Sequence, residues 1–142
     1  MTVVRLHLVS TLDPKGVLDV LTDFSPSRPR IWSTIDADHF EVHGLGDTWA
    51  EVTEGTAAAW ERARYEWEPD GGTVIVTTLD SKLFGPGGGW VFRTTAGPDG
   101  TRVDVELTRR PSTLKGRMSA ALLPVVAPTS LRRSLAGPLQ AR

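Results

Sequence analysis

From His39 to Arg109 the chain is a succession of short alternating segments cut by turn residues, and that pattern leaves few architectures open. His39–His43 alternates, with Phe40 and Val42 on one side and His39, Glu41 and His43 on the other. Gly44-Leu45-Gly46-Asp47 turns the chain into Thr48–Glu54. Ala59–Glu68 is stopped by Pro69-Asp70-Gly71-Gly72, and Thr73–Asp80 is rich in the β-branched residues that strands prefer. Gly89–Thr95 and Thr101–Arg109 flank Gly97-Pro98-Asp99-Gly100 as a hairpin. In the last of these, Val103, Val105 and Leu107 share one face while Arg102, Asp104 and Glu106 share the other. One clean apolar face per strand predicts an antiparallel sheet covered on one side.

The flanks supply the cover. Val3–Val9 reads as a further strand, the seventh, with Val4, Leu6 and Leu8 on one face. Asp13 is placed to cap a helix whose first position is Pro14, where the missing N–H costs nothing. Val17, Leu18 and Leu21 form its apolar stripe. Ser25-Pro26-Ser27-Arg28-Pro29 breaks it, and a second short helical turn carries Ile31, Trp32 and Ile35. At the other end, Leu114, Met118, Ala121, Leu122, Val125, Leu135 and Leu139 fall close to a 3.6-residue period. A long helix over Thr113–Gln140 is expected there, kinked by Pro124 and Pro128. The expected fold is α+β: a curved seven-stranded antiparallel sheet around a long C-terminal helix, with two short helices between strands 1 and 2. No repeat or linker divides the chain, so one domain over residues 1–142 is expected.

Composition removes several function classes. The chain has no cysteine, which excludes disulfides, thiolate metal sites and cysteine nucleophiles. MTVVRLHLVS carries Arg5 and His7 and lacks a signal peptide's apolar stretch; no apolar run approaches the roughly 20 residues of a membrane span. The cytoplasm is the expected location. From Arg109 to Arg142 there are seven basic residues and no acid, against nine basic and seventeen acidic residues before them. The acidic body of the same fold is the expected partner of this basic end; no nucleic acid partner is expected.

The order of elements resembles the helix-grip arrangement of START-like (SRPBCC) proteins, a superfamily that includes polyketide cyclase/dehydrase-like proteins. The motifs that carry the resemblance are Asp23-Phe24-Ser25, Leu45-Gly46-Asp47-Thr48-Trp49-Ala50-Glu51-Val52, Trp60-Glu61-Arg62 with Arg64-Tyr65, and Asp80-Ser81. It covers the whole chain and looks closest to small actinobacterial members. It implies an internal cavity between sheet and long helix that takes a lipid, polyketide or other apolar small molecule.

On Ala59–Glu68, Ala63, Tyr65 and Trp67 lie on one face, and Trp60, Arg62, Arg64, Glu66 and Glu68 on the other. Burying unpaired charges in an apolar cavity would cost several kcal/mol each, so the aromatic face is expected inward. The polyketide cyclase resemblance implies a cavity-facing arginine on this strand, and the outward parity of Arg62 and Arg64 departs from it. The expected lining is Trp32, Trp49, Tyr65, Trp67, Val76, Thr78, Trp90, Met118 and Leu122. Leu83 and Phe84, in the Gly-rich stretch Asp80–Gly89, read as a gate at the mouth or as part of an ordinary hairpin loop. That stretch lacks the Gly-Lys-Ser/Thr of a phosphate loop.

Three functional readings are open. The leading one is a binder of an apolar small molecule. The second is a cyclase or dehydratase in which Tyr65 or Glu51 transfers protons and Arg64 or Asp80 orients the substrate. For Glu51 the alternative is a cross-strand pair with Arg62 or Arg64. The third is a lipid carrier that docks on anionic membranes through Arg117, Arg132 and Arg133. His39 and His43, four apart on a strand, stand roughly 13 Å from each other, which is wrong for one metal. No metal and no cofactor is expected.

Overall fold

A computed structural model describes residues 2–111 and 134–140. Seven strands form one antiparallel sheet in the order β1-β7-β6-β5-β4-β3-β2. They are β1 (Thr2–Ser10), β2 (Phe40–Leu45), β3 (Trp49–Gly55), β4 (Trp60–Trp67), β5 (Thr73–Ser81), β6 (Phe84–Gly97) and β7 (Gly100–Pro111). From β2 to β7 the chain meanders through hairpins, and β1 closes the order beside β7. The two helices, α1 (Pro14–Leu21) and α2 (Arg28–Ile31), lie between β1 and β2, followed by a 3-10 turn at Ala37–His39. The seven strands, their antiparallel pairing and the two short helices between β1 and β2 agree with the expectation.

Local chemistry explains the helix ends. The Asp13 carboxylate accepts the Gly16 N–H at 2.7 Å, and Pro14 occupies the first turn. At the other end the Thr22 hydroxyl donates to the Leu18 carbonyl at 2.7 Å, and Asp23 accepts the Ser25 N–H at 2.9 Å. Arg28-Pro29, expected as part of the break, belongs instead to α2. A proline in a helix's first turn gives up an N–H that would have had no partner.

Every strand but the edge strand β2 buries residues of its inner face. Val4 and Leu6, Ala50 and Val52, Ala63 and Tyr65, Val74 and Val76, Phe92, and Val103 and Val105 are buried. Val17 and Leu21 of α1, with Phe24, Trp32 and Ile35, cover most of this row. Each such Val or Leu side chain contributes about 1.5–3 kcal/mol by leaving water. Leu135 and Leu139 join the same core, and Ser10 donates its hydroxyl to the Leu139 carbonyl. Residues 134–136 are helical. Residues 137–140, expected as the end of the long Pro-kinked helix over Thr113–Gln140, are turn and bend instead, and the part of that helix before residue 134 lies outside the described residues, as do Met118, Leu122, Arg117, Arg132 and Arg133.

Two bulges set which residues of β5 and β6 face inward. The glycine run expected as a turn is strand: β6 begins at Phe84, and its pairing with β7 slips between Gly85 and Gly89. Gly89 has φ +154°, and a Cβ there would overlap the Val76 carbonyl, so the bulge demands glycine. The second bulge is on β5: Ala63 pairs with Thr78 but Arg62 pairs with Asp80, which leaves Leu79 as the extra residue. Among the described residues no helix is long and apolar enough to cross a membrane.

Candidate functional site

The inward row of β4 is Glu61, Ala63, Tyr65 and Trp67, and that of β3 is Ala50, Val52 and Glu54. The register sets Glu54 directly opposite Glu61. Two carboxylates facing each other across a strand pair repel unless each has a cation, and each has one. Arg28, 3% exposed, reaches Glu54 from α2 through Nε at 2.7 Å. Its Nη1 donates to the carbonyls of Leu21 (3.2 Å) and Asp23 (3.0 Å), and its Nη2 donates to the Tyr65 phenol oxygen at 3.1 Å. The phenol in turn donates to Glu54. Aromatic rings pack about the guanidinium, with its carbon 4.5 Å from the Phe24 ring centre, 5.4 Å from Tyr65 and 5.5 Å from Trp32.

Glu61 is served from the other side. Arg109, which continues the inward row of Val103, Val105 and Leu107 on β7, donates Nη1 to Glu61 and, at 3.0 Å, to the buried Thr78 hydroxyl. Thr78 donates to Glu61 at 2.7 Å. The Arg109 guanidinium lies 5.2 Å from the Phe84 ring centre and 5.5 Å from Trp90. Trp90 stacks on Phe92 with ring centres 5.8 Å apart.

Both networks border one cavity of about 220 Å³, whose apolar walls include Leu21, Trp32, Ile35, Trp90, Phe92 and Leu135. Its interior shifts the two groups that meet at Glu54. Burial works to lower the Arg28 pKa, but the attraction of Tyr65 and Glu54 and their hydrogen bonds overcome it, and the net shift is upward. The Tyr65 phenol is held well above its ordinary value, first by burial and then by the Glu54 carboxylate, with Arg28 opposing. Arg28 is therefore a permanent cation and Tyr65 a neutral phenol at physiological pH. What the site can offer a guest is an apolar enclosure with hydroxyls and ion-pair edges at its rim.

The expected lining residues divide. Trp32, Tyr65 and Trp90 border the cavity; Thr78 is hydrogen-bonded into its second network; Val76 is buried in the core beside them. Trp67 packs on Phe24 with ring centres 6.2 Å apart, and it borders a separate depression with Trp49, Arg64 and Ile75. Trp49, Glu51 and Arg64 face away from the cavity, a correction to their candidate roles. On β3 the fully buried Ala50 and Val52 have the opposite parity, so Trp49 and Glu51 point outward. Trp49 lies between Gly44–Gly46 and the Arg64 guanidinium, 4.7 Å from its ring centre. Glu51 makes the cross-strand alternative, 3.7 Å from both Arg62 and Arg64.

Asp80 is corrected likewise. Alternation from Val76 and Thr78 would bring it inward, but the bulge at Leu79 reverses the parity, and it is exposed opposite Arg62. Leu83 and Phe84 do not stand in a long loop. The Ser81 hydroxyl accepts their N–H groups at 3.2 and 3.0 Å, and Phe84 packs on Arg109. Among the described residues no cluster of three or more His, Asp or Glu could hold a metal ion.

Sequence reasoning overlooked Arg28, Glu54, Glu61 and Arg109. A signal for three of them was present: Glu54, Glu61 and Arg109 each continue the parity of an apolar row. A charge in that position either ends the strand or is paired inside. Arg28 gave no such signal, because it stands in the turn chemistry between Pro26 and Pro29.

No family model and no curated protein matches the sequence. Solved structures do match the fold. A START superfamily protein from Mycobacterium smegmatis superposes with a TM-score of 0.75 at 13% identity, over 98% of this chain and 97% of that one. The Zhui aromatase/cyclase from a Streptomyces species gives 0.71 at 14% identity, over 96% and 90%. A STAR-related lipid transfer protein from Xanthomonas axonopodis gives 0.70 at 16% identity, over 95% and 84%. The fold is therefore START-like, as the order of elements implied.

Proposed function

We propose that this START-like chain binds a small, mainly apolar molecule in the cavity between the sheet's inner face and α1–α2. The observation that carries the reading is one cavity in which apolar walls meet the Tyr65 phenol and the edges of two ion pairs, with Thr78 hydrogen-bonded behind Glu61. Trp32 and Trp90 serve as walls and Tyr65 orients the polar end of the guest, while Val76 and Thr78 pack behind them. Phe84 packs on the guanidinium of Arg109, which borders the cavity. The aromatase/cyclase and lipid transfer protein that share the fold support an apolar guest. At about 220 Å³ the cavity falls below the roughly 300–1,000 Å³ of drug-sized clefts, which favours a compact guest.

An enzyme built on Tyr65, Glu51, Arg64 and Asp80 needs at least two of these groups in one cavity. Only Tyr65 faces it, and the other three lie outside. Binding without turnover is the better-supported reading.

The test is native mass spectrometry of freshly purified protein, followed by organic extraction and identification of whatever is released. A co-purified apolar molecule that quenches or shifts tryptophan fluorescence on rebinding, with the response lost in Trp32→Ala, supports the reading. A clean apo mass, with no fluorescence change across a panel of apolar compounds, overturns it.

A further inference from the structure

Two ion pairs of separate origin meet in the cavity wall. Arg28 pairs with Glu54 and Arg109 with Glu61; among the described lining residues these four are all the formal charges, and they sum to zero. The glutamates stand directly opposite on β3 and β4. Neither arginine can therefore turn to a guest anion without leaving its own carboxylate beside the other. A guest cation faces the converse difficulty, since each carboxylate is already engaged by an arginine.

The hydroxyls behave differently. Tyr65 accepts from Arg28 and donates to Glu54, while Thr78 accepts from Arg109 and donates to Glu61. A hydroxyl oxygen has two lone pairs and one proton, so Tyr65, which borders the cavity, retains an acceptor site for a guest O–H. Arg109, which also borders the cavity, holds Glu61 and Thr78 through Nη1, so a guest carbonyl would be met by its Nε or Nη2 edge. Both functions can be met without breaking an ion pair.

We propose that the cavity is selective for uncharged guests bearing a hydroxyl or ketone, and excludes carboxylate and ammonium guests with the same hydrocarbon chain. This rests on the reading that the cavity binds an apolar molecule, and adds the rule by which it chooses the head group. The rule is electrostatic: a wall whose charges cancel in pairs has no counter-ion to give, and an ion brought there loses its water without compensation.

The experiment titrates the full chain at neutral pH with octanol, methyl hexyl ketone, octanoate and octylamine, followed by calorimetry and tryptophan fluorescence. Octanol and the ketone are expected to bind about tenfold or more tighter than octanoate and octylamine, the scale set by an unpaired buried charge. Glu61→Gln leaves Arg109 without its carboxylate and should raise the affinity for octanoate relative to octanol. Arg109→Gln should do the same for octylamine. If Glu61→Gln does not fold, Glu54→Gln makes the same exchange at the other pair. Wild-type protein that binds octanoate as tightly as octanol overturns the charge rule and leaves the binding reading intact. Failure of all four probes, together with a clean apo mass, overturns the binding reading itself.

Discussion

Removing the Glu54 carboxylate while Arg28 remains isolates what the buried ion pair does for the fold. At 2.7 Å and an effective dielectric constant of about 20, the bare attraction between the charges is about 6 kcal/mol. Desolvation of both ions offsets most of that, because the two side chains are only 3% and 12% exposed. The asymmetry lies in breaking the pair. Glu54→Leu strands a guanidinium among Phe24, Trp32 and Tyr65, and loss of one partner from a buried pair costs about 3–5 kcal/mol. Arg28→Met strands the carboxylate and also frees the Leu21 and Asp23 carbonyls, so it should cost at least as much. The double variant leaves no uncompensated charge. It should therefore be more stable than the sum of the single losses implies, by about 1–3 kcal/mol. Urea unfolding followed by tryptophan fluorescence measures all four proteins, with the slope required to stay constant across the cycle. Because whole domains are stable by only about 5–15 kcal/mol, Glu54→Gln is the fallback should a single variant not fold. Strictly additive losses would refute the argument that Arg28 and Glu54 are held inside as a compensated pair.

The Tyr65 phenol is the only one in the chain, so tyrosinate absorbance reports it alone; no tyrosinate should form until the pH passes well above the ordinary value of about 10. Since the folded pKa is raised, its contribution to stability is full below about pH 10 and falls as pH climbs toward the raised value. Tyr65→Phe should flatten that alkaline slope in urea titrations at stepped pH. Gly89→Ala should destabilise by about 1–3 kcal/mol or more in thermal unfolding, because φ is +154° and a Cβ meets the Val76 carbonyl. Asp13→Ala should cost about 1 kcal/mol through loss of the α1 cap and leave ligand binding unchanged, read by the same unfolding and fluorescence assays.

Much of this protein is legible in its sequence, and what can be read there shares one property: it depends on near neighbours in the chain. Alternation marks all seven strands because side-chain direction has a period of two, whatever the strand pairs with. Asp13-Pro14 marks the start of α1 because capping is settled within four residues. The same local rule, applied to β4, turns Tyr65 inward and Arg62 and Arg64 outward, as the structure has them. It fails at Asp80, where one extra residue in β5 reverses the parity, and at Gly85–Gly89, where a glycine run that suits a turn serves a bulge between paired strands. A bulge is a property of two strands in register, and no single segment announces it.

The cavity's polar wall belongs to that second class. Arg28 meets Glu54 across 26 positions of sequence, and Arg109 meets Glu61 across 48. Parity points Glu54, Glu61 and Arg109 toward the apolar rows and Arg28 stands in the turn chemistry between Pro26 and Pro29, but none of the four announces its partner. Only the folded sheet, by placing Glu54 opposite Glu61 and bringing α2 and β7 to either side, supplies each charge with the partner that makes its burial tolerable. Local order in the chain settles which residues share a face of each strand. Which charges can face inward is settled by the folded sheet alone, because it depends on partners the chain reaches only after it has folded.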